Sequence, residues 1–255
     1  MTPHRFFIPP DWIQGDQVTV TGPQAHQMIH VLRLRPGDEV IVLDNSGWEI
    51  RTRLVELDRD TVKGEVLQRQ LAGSEPRTKI SLYQGVLKSK KFELILQKGT
   101  ELGLVEFVPV IAERCVVSDL DAVEKKYPRW ESIIQEAAEQ CGRGRKPVLR
   151  PALLFLQACE RAKQSRALSL IPWEGERRTH LRQLLRHAPS ERRTSWPPFS
   201  INLLIGPEGG FAPAEVIIAR NYGLVPVSLG PRILRAETAG LVAAAAILYE
   251  LGDLG

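Results

Sequence analysis

Leu203-Leu204-Ile205-Gly206-Pro207-Glu208-Gly209-Gly210-Phe211 and Leu229-Gly230-Pro231-Arg232-Ile233-Leu234-Arg235-Ala236-Glu237-Thr238 decide how this chain is read. Each stretch leaves an apolar, strand-like run, turns on glycine and proline, and enters a helix-like run. In α/β proteins ligands lie there, outside the carboxyl ends of strands and beside helix N-termini. Gly206, Gly209 and Gly210 let a ligand approach the backbone closely. Pro213 suits the first turn of the following helix, and Glu215 complements its dipole. Ile233 and Leu234 are apolar where a surface loop would be polar, which suits the walls of a pocket for a flat ring. Arg235, Glu237 and Thr238 add polar contacts. Taken singly, either stretch also reads as a tight strand-to-helix turn with no ligand; together they predict one pocket.

Working outward, strand and helix patterns alternate from Lys79 onward, which predicts an α/β domain over 79–255. Strands are expected at 80–87, 105–110, 167–171, 201–205 and 225–229. Helices are expected at 90–102, 127–140, 153–163, 179–187, 213–222 and 237–251. Residues 1–72 are different. Short β-like pieces at 18–20, 39–44, 48–55 and 61–66, with one helix at 23–32, predict a small β-barrel domain. The polar, turn-rich 73–78 reads as a linker. The proline-bearing 188–200 reads as an exposed loop, and Ala243–Ala246 as a helix face that lets another backbone come close, in the core or at a subunit interface.

Composition narrows the class. With 255 residues, 43% hydrophobic and 25% charged, the chain has the make-up of a soluble globular protein. Its net charge of +4 permits a nucleic-acid partner without requiring one. The surplus is local, at Lys88, Lys90 and Lys91, at Arg143, Arg145 and Lys146, and at Arg177, Arg178, Arg182 and Arg186. Three cysteines without CxxC spacing are a poor disulfide framework and point to a reducing cytoplasm. The start of the chain lacks the apolar core of a signal peptide, and the longest apolar run, 241–249, is too short to span a bilayer, so no membrane partner is expected. Neither GxGxxG nor GxxxxGK[ST] is present. Lys98-Gly99-Thr100 has the letters of a phosphate loop but lies inside an amphipathic helix pattern. His26 and His30 have zinc-protease spacing, yet Gln27 stands where a general-base glutamate is required, so no metal site is expected.

The chain resembles the RsmE family of SPOUT methyltransferases. The matching residues are His4-Arg5-Phe6-Phe7, Val31-Leu32-Arg33 with Gly37-Asp38, Gln97-Lys98-Gly99 with Glu101-Leu102-Gly103, and Glu113-Arg114-Cys115. They continue through Glu136-Ala137 with Glu139–Arg143, Leu204–Gly210, Leu229-Gly230 with Arg232–Thr238, and Gly252–Gly255. The main departure is the arginine- and proline-rich 176–198. The resemblance implies an N-terminal PUA-like β-barrel that binds RNA and a C-terminal SPOUT domain with a deep trefoil knot. It implies transfer of a methyl group from S-adenosylmethionine to N3 of a uridine in 16S ribosomal RNA of the small subunit, by a homodimer. By the same resemblance, Ile205, Gly206, Leu229, Gly230, Ile233, Leu234 and Thr238 hold the cofactor, with Leu170 and Pro172 as additions at an earlier strand end.

Uracil N3 carries a weakly acidic proton normally used in pairing, so the target must be unpaired or swung out, and the proton removed or compensated. Glu208 is the candidate proton acceptor, and Arg235 or Arg143 the candidate stabiliser of the uracil anion. Glu208 also reads as a loop brace bonding backbone amides. Arg5, Arg33, Arg114, Arg143 and Arg145 are expected on RNA phosphates. Competing readings are a knotted methyltransferase acting on a ribose oxygen or another base, and a silent RNA-binding assembly factor. A nucleotide-phosphate enzyme would need a lysine or metal-ligand set that does not accompany the 206–210 turn.

Overall fold

Side chains alternate across the 48–57 strand, with Ile50, Thr52 and Leu54 buried and Arg51 and Arg53 exposed, as a sheet with one covered face requires. The computed structural model describes residues 3–117, 119–186 and 200–254. The chain divides into two units: Met1–Glu75 with Gln135–Lys146, and Pro76–Ile134 with Pro147–Gly255.

The first unit holds strands β1 (His4–Phe7), β2 (Ile13–Gln14), β3 (Gln17–Thr21), β4 (Glu39–Leu43), β5 (Trp48–Leu57) and β6 (Thr61–Leu71), and a short helix α1 (Gly22–His26). The helix runs on into a wider π-type turn over Gln27–Val31. The sheet order is β1-β4-β5-β6-β3-β2, antiparallel except where β1 joins β4. Asn45 and Gly47 take positive φ at the β4–β5 turn, where the sequence shows Asn45-Ser46-Gly47. Phe6, Val18, Val20, Met28, Val42 and Ile50 are among the residues that fill its interior. The segment 135–146 adds Ala138 to a cluster with Phe7, Ile41 and Leu43, and Glu139 accepts the Phe7 N–H at 2.8 Å.

The second unit begins with β7 (Lys79–Gly85), α2 (Ser89–Leu102) and β8 (Glu106–Ile111). Helices α3 (Leu120–Glu124) and α4 (Tyr127–Cys141) follow, the division between units falling within α4. Then come β9 (Val148–Leu149), β10 (Leu153–Leu154), α5 (Phe155–Gln164), β11 (Leu168–Pro172), α6 (Leu181–Arg186), β12 (Ser200–Ile205), α7 (Pro213–Asn221), β13 (Val225–Val227) and α8 (Ala236–Glu250). The helix expected over 153–163 starts two residues later, because Leu153 and Leu154 pair with Val110 and Ile111 as a strand. His187 and residues 188–199 of the loop expected over 188–200 lie outside the described residues, and Ser200 opens β12 instead.

The sheet is all parallel, in the order β10-β8-β7-β12-β11-β13, with β9 beside β8. Its strands read as continuous apolar runs because both faces are covered. One face packs on Phe92, Ile95 and Leu96 of α2, Leu181 and Leu185 of α6, and Ala243, Ala244 and Ile247 of α8. The other packs on Phe155, Ala158 and Ala162 of α5 and Val216 and Ala219 of α7. From β7 the chain first builds outward through β8, then crosses to β11 on β7's other side and lays β12 between β11 and β7. That reversal opens a crevice at the strands' carboxyl ends. Lys98-Gly99-Thr100 is ordinary helix: a Cβ at Gly99 would meet the Phe107 ring within 2.8 Å, and Thr100 bonds the Leu96 carbonyl.

Candidate active site

β11, β12 and β13 are neighbours in the sheet, so the segments leaving their carboxyl ends converge on one side. They enclose a cavity of about 490 Å³, in the range of small-ligand sites. Its walls come from Pro172–Glu174 and Arg177, from Ile205–Phe211, and from Ser228–Ala236 with Ala239. The two glycine-rich stretches, 203–211 and 229–238, thus share one pocket. Of the residues expected at a cofactor, Pro172, Ile205, Gly206, Leu229, Gly230, Ile233 and Leu234 line it, as do Glu208 and Arg235. Leu170 lies inside the sheet, paired with Leu203 and Val225, and Thr238 lies outside the lining in the first turn of α8.

The first turn is shaped by backbone crowding. A Cβ on Gly206 would meet the Gly210 carbonyl carbon at 3.1 Å, and Gly210 sits at φ +66°. Beneath it, a Cβ on Gly85 would lie 2.5 Å from the Pro207 nitrogen. Gly210 donates to the Pro207 carbonyl at 2.9 Å, which closes the turn. Buried Gln84 donates to the carbonyls of Gly85 and Gly206 at 3.2 and 3.4 Å. In the second turn, Gly230 takes φ +116°, a backbone that disfavours any side chain. Its N–H donates to the Ser228 hydroxyl at 3.3 Å. Ile233 stands 86% exposed at the mouth and Leu234 is half-buried.

Glu208 accepts the Lys88 N–H at 3.3 Å, at the start of α2, and lies 4.0 Å from the Lys91 ammonium. Lys91 also pairs with Glu237 at 3.3 Å. Burial opposes ionisation of Glu237, yet its own N–H and Lys91 hold its carboxyl below the usual range. The Arg235 guanidinium has no hydrogen-bond partner among the described residues and lies exposed in the lining.

The other expected arginines are dispersed. Arg114 donates to the Gly209 carbonyl at 2.9 Å, on the outer side of the first turn. Arg5, Arg33, Arg143 and Arg145 belong to the first unit. Arg33 is exposed at φ +54°, and Arg145 is exposed and donates to the Ser46 carbonyl. Arg5 is tied to Glu49 at 2.6 Å. Arg143 is only 3% exposed and is held by Glu75 at 3.0 Å, so its guanidinium is spent on a buried ion pair and does not line the cavity.

Arg232 of the second stretch lines the cavity as well, and so do Trp173, Glu174 and Ser228, for which the sequence carries no site expectation. Their signal was position: Trp173 and Glu174 follow the strand end at Pro172 directly. No disulfide joins Cys115, Cys141 and Cys159, and burial pushes the Cys159 thiol up to about 12 and raises that of Cys115. Among the described residues no three His, Cys, Asp or Glu side chains gather into a metal-ligand group, and no helix is long and apolar enough to cross a membrane.

With this geometry in hand, comparison with known proteins is specific. The family described as "RNA methyltransferase domain" matches residues 74–248, and "RNA methyltransferase PUA domain" matches 20–67. Ribosomal RNA small subunit methyltransferase E of Bacillus subtilis is 34% identical over 91% of this chain and 90% of its own length. The protein of that name from Synechocystis is 35% identical over 96% of this chain and 77% of its own. The crystal structure of a ribosomal RNA small subunit methyltransferase E from Neisseria gonorrhoeae bound to S-adenosyl methionine superposes with a TM-score of 0.82, at 29% identity over 97% of both chains. The chain, an α/β fold with a PUA-like domain, belongs to the ribosomal RNA small subunit methyltransferase E family.

Proposed function

We propose that this protein transfers a methyl group from S-adenosylmethionine to N3 of a uridine in the 16S RNA of the small ribosomal subunit. The observation that carries the reading is the convergence of the Gly206–Gly210 and Leu229–Arg235 segments on one cavity, in a chain of this family. The cavity fits such a donor. Its volume suits a nucleoside-sized group, Gly206 leaves backbone where a Cβ would intrude, and Ile205, Leu229 and Leu234 give apolar walls. Pro172, Ile205, Gly206, Leu229, Gly230, Ile233 and Leu234 hold the donor, while Leu170 and Thr238 support the same segments from the sheet and from α8. S-adenosylmethionine supplies an electrophilic methyl group on a sulfonium.

This chain's residues orient the acceptor and manage its charge. Arg235, unpaired at the pocket, stabilises the uracil anion, and Glu208 takes the N3 proton on its carboxylate. A second reading has its own observation: Glu208 accepts the Lys88 N–H and braces the turn. Glu208→Gln separates them, since glutamine keeps an acceptor for that N–H but is no base. At saturating donor, a rate lower by about 10²-fold or more supports proton transfer; an unchanged rate leaves only the brace. Methylating small subunits from cells lacking this protein, then analysing the nucleosides, tests the reaction. N3-methyluridine supports it, and a ribose-methylated or unmodified product rejects it.

Three finer features belong to the same proposal. A deep trefoil knot formed by the 206–210 and 229–235 segments, which leave the two strands flanking β11, and a barrel formed by the six-stranded sheet of the first unit are part of this reading. Arg5, Arg33, Arg114 and Arg145 contact RNA phosphates, with Arg143 supporting their surroundings through Glu75. The working form is a homodimer in the cytoplasm. Helix α8 is apolar nearly all round, with Glu237 and Glu250 its only charges, yet leaves Val242 45% and Tyr249 71% exposed. A helix of that kind asks for cover on every side.

A further inference from the structure

The connection from β11 to α6 carries an arginine cluster that the methyl-donor pocket does not account for. Arg177, Arg178 and Arg220 line a second, open groove with Gly175, Thr179 and the 223–226 segment that leads into β13, and Arg177 lines the pocket as well. The groove and the pocket therefore share one residue.

The loop that presents Arg177 and Arg178 is braced. Glu176 is buried, and its Oε1 accepts the N–H groups of Arg178 and Thr179 at 2.8 and 3.1 Å. Its Oε2 takes the Arg220 guanidinium of α7 at 2.9 Å. Those N–H groups and Arg220 hold the Glu176 carboxyl below the usual range, so the brace persists at neutral pH. Gly175 lets the Trp173 indole lie against the backbone, where a Cβ would meet the ring at 2.4 Å. Glu176 thus occupies Arg220, while the side chains of Arg177 and Arg178 stand exposed with no hydrogen-bond or ion-pair partner among the described residues. Unpaired guanidiniums on a fixed loop are suited to planar, bidentate contact with phosphate oxygens.

We infer that this groove holds the phosphate backbone of the RNA strand next to the nucleotide in the pocket, with Arg177 and Arg178 as its contacts and Arg177 at the entrance. The inference rests on the RNA-methylating function proposed above and names a track for the strand on the catalytic unit. An extruded base needs its flanking phosphates held, and an arginine shared by groove and pocket does both at the point where the strand must turn.

The test uses the full chain and naked small-subunit ribosomal RNA over a series of salt concentrations, with calorimetry of S-adenosylmethionine binding alongside. Arg178→Glu is expected to weaken RNA binding about tenfold at moderate salt and to lower the slope of log K against log salt by about 0.7 per lost phosphate contact. Donor binding stays unchanged, and Arg178→Lys retains most of the RNA affinity. Lys125→Glu, an exposed charge at the end of α3 away from the groove lining, serves as the comparison for bulk charge. Equal losses in Arg178→Glu and Lys125→Glu overturn the groove assignment. So does wild-type affinity and slope in both Arg177→Glu and Arg178→Glu. A wild-type protein that binds the donor but shows no salt-dependent RNA affinity overturns the RNA-methylating reading itself, and the groove with it.

Discussion

Gly85 shows how tightly single positions govern the pocket. Its missing Cβ leaves room for the Pro207 nitrogen, which would sit 2.5 Å from an added methyl. Neither group can give way, since one is strand backbone and the other a proline ring nitrogen. Gly85→Ala is expected to cost about 1–3 kcal/mol of stability through overpacking. It should also weaken S-adenosylmethionine binding, because the displaced residue belongs to the lining turn. Thermal unfolding with and without the donor measures both: a smaller donor-induced rise in Tm than wild type is the expected result. No sequence signal marked Gly85, since only the fold brings it under residue 207, 122 positions away in the contact made by its neighbour Gln84. The glycines of 206–210 were legible because they cluster.

At the scale of elements, the segment after α8 is tied to the start of β7. Asp253, nearly buried, accepts the N–H groups of Arg77 at 2.7 Å and Thr78 at 3.1 Å. Burial opposes its ionisation, but the Thr78 hydroxyl and the two N–H groups hold its carboxyl below the usual range. Asp253→Ala leaves two donors without their acceptor and is expected to cost about 1–3 kcal/mol. The sign with pH follows from the depressed carboxyl. Its stabilisation is complete above the pKa of the unfolded chain and is lost as pH falls through the lower folded value. Urea unfolding across that acid range should show the gap between wild type and Asp253→Ala closing as pH falls. The alternation of strands and helices from residue 79 was legible from apolar runs. The two-residue strands β9 and β10 were not, because pairing to β8 alone defines them.

For the whole molecule, two expectations concern how the chain is assembled. Tyr249→Glu combined with Val242→Glu places charge on the exposed apolar side of α8. If a second copy covers that side, sedimentation should show the wild type as a dimer and the double variant as a monomer that still folds. The first unit needs residues far along the chain: Arg143 pairs with Glu75, and Ala138 packs with Phe7, Ile41 and Leu43. A fragment ending at residue 75 leaves Glu75 without its partner. Removing one member of a buried ion pair typically costs about 3–5 kcal/mol, so the fragment should show little cooperative unfolding by circular dichroism.

The alternation of the longer strands and helices from residue 79, the two glycine-rich turns and the resemblance to a methyltransferase family were determined by the sequence alone. The alternation and the turns depend on periodic burial and local backbone preference, and the resemblance on short motifs; all are written in neighbouring residues. The return of 135–146 to the first unit, the burial of Arg143, the bracing of Glu176 and the groove beside the pocket were decided only by tertiary structure. An arginine's letter is the same whether its charge meets a buried glutamate or solvent. Which of these it meets depends on residues tens of positions away, and chain folding alone brings them together.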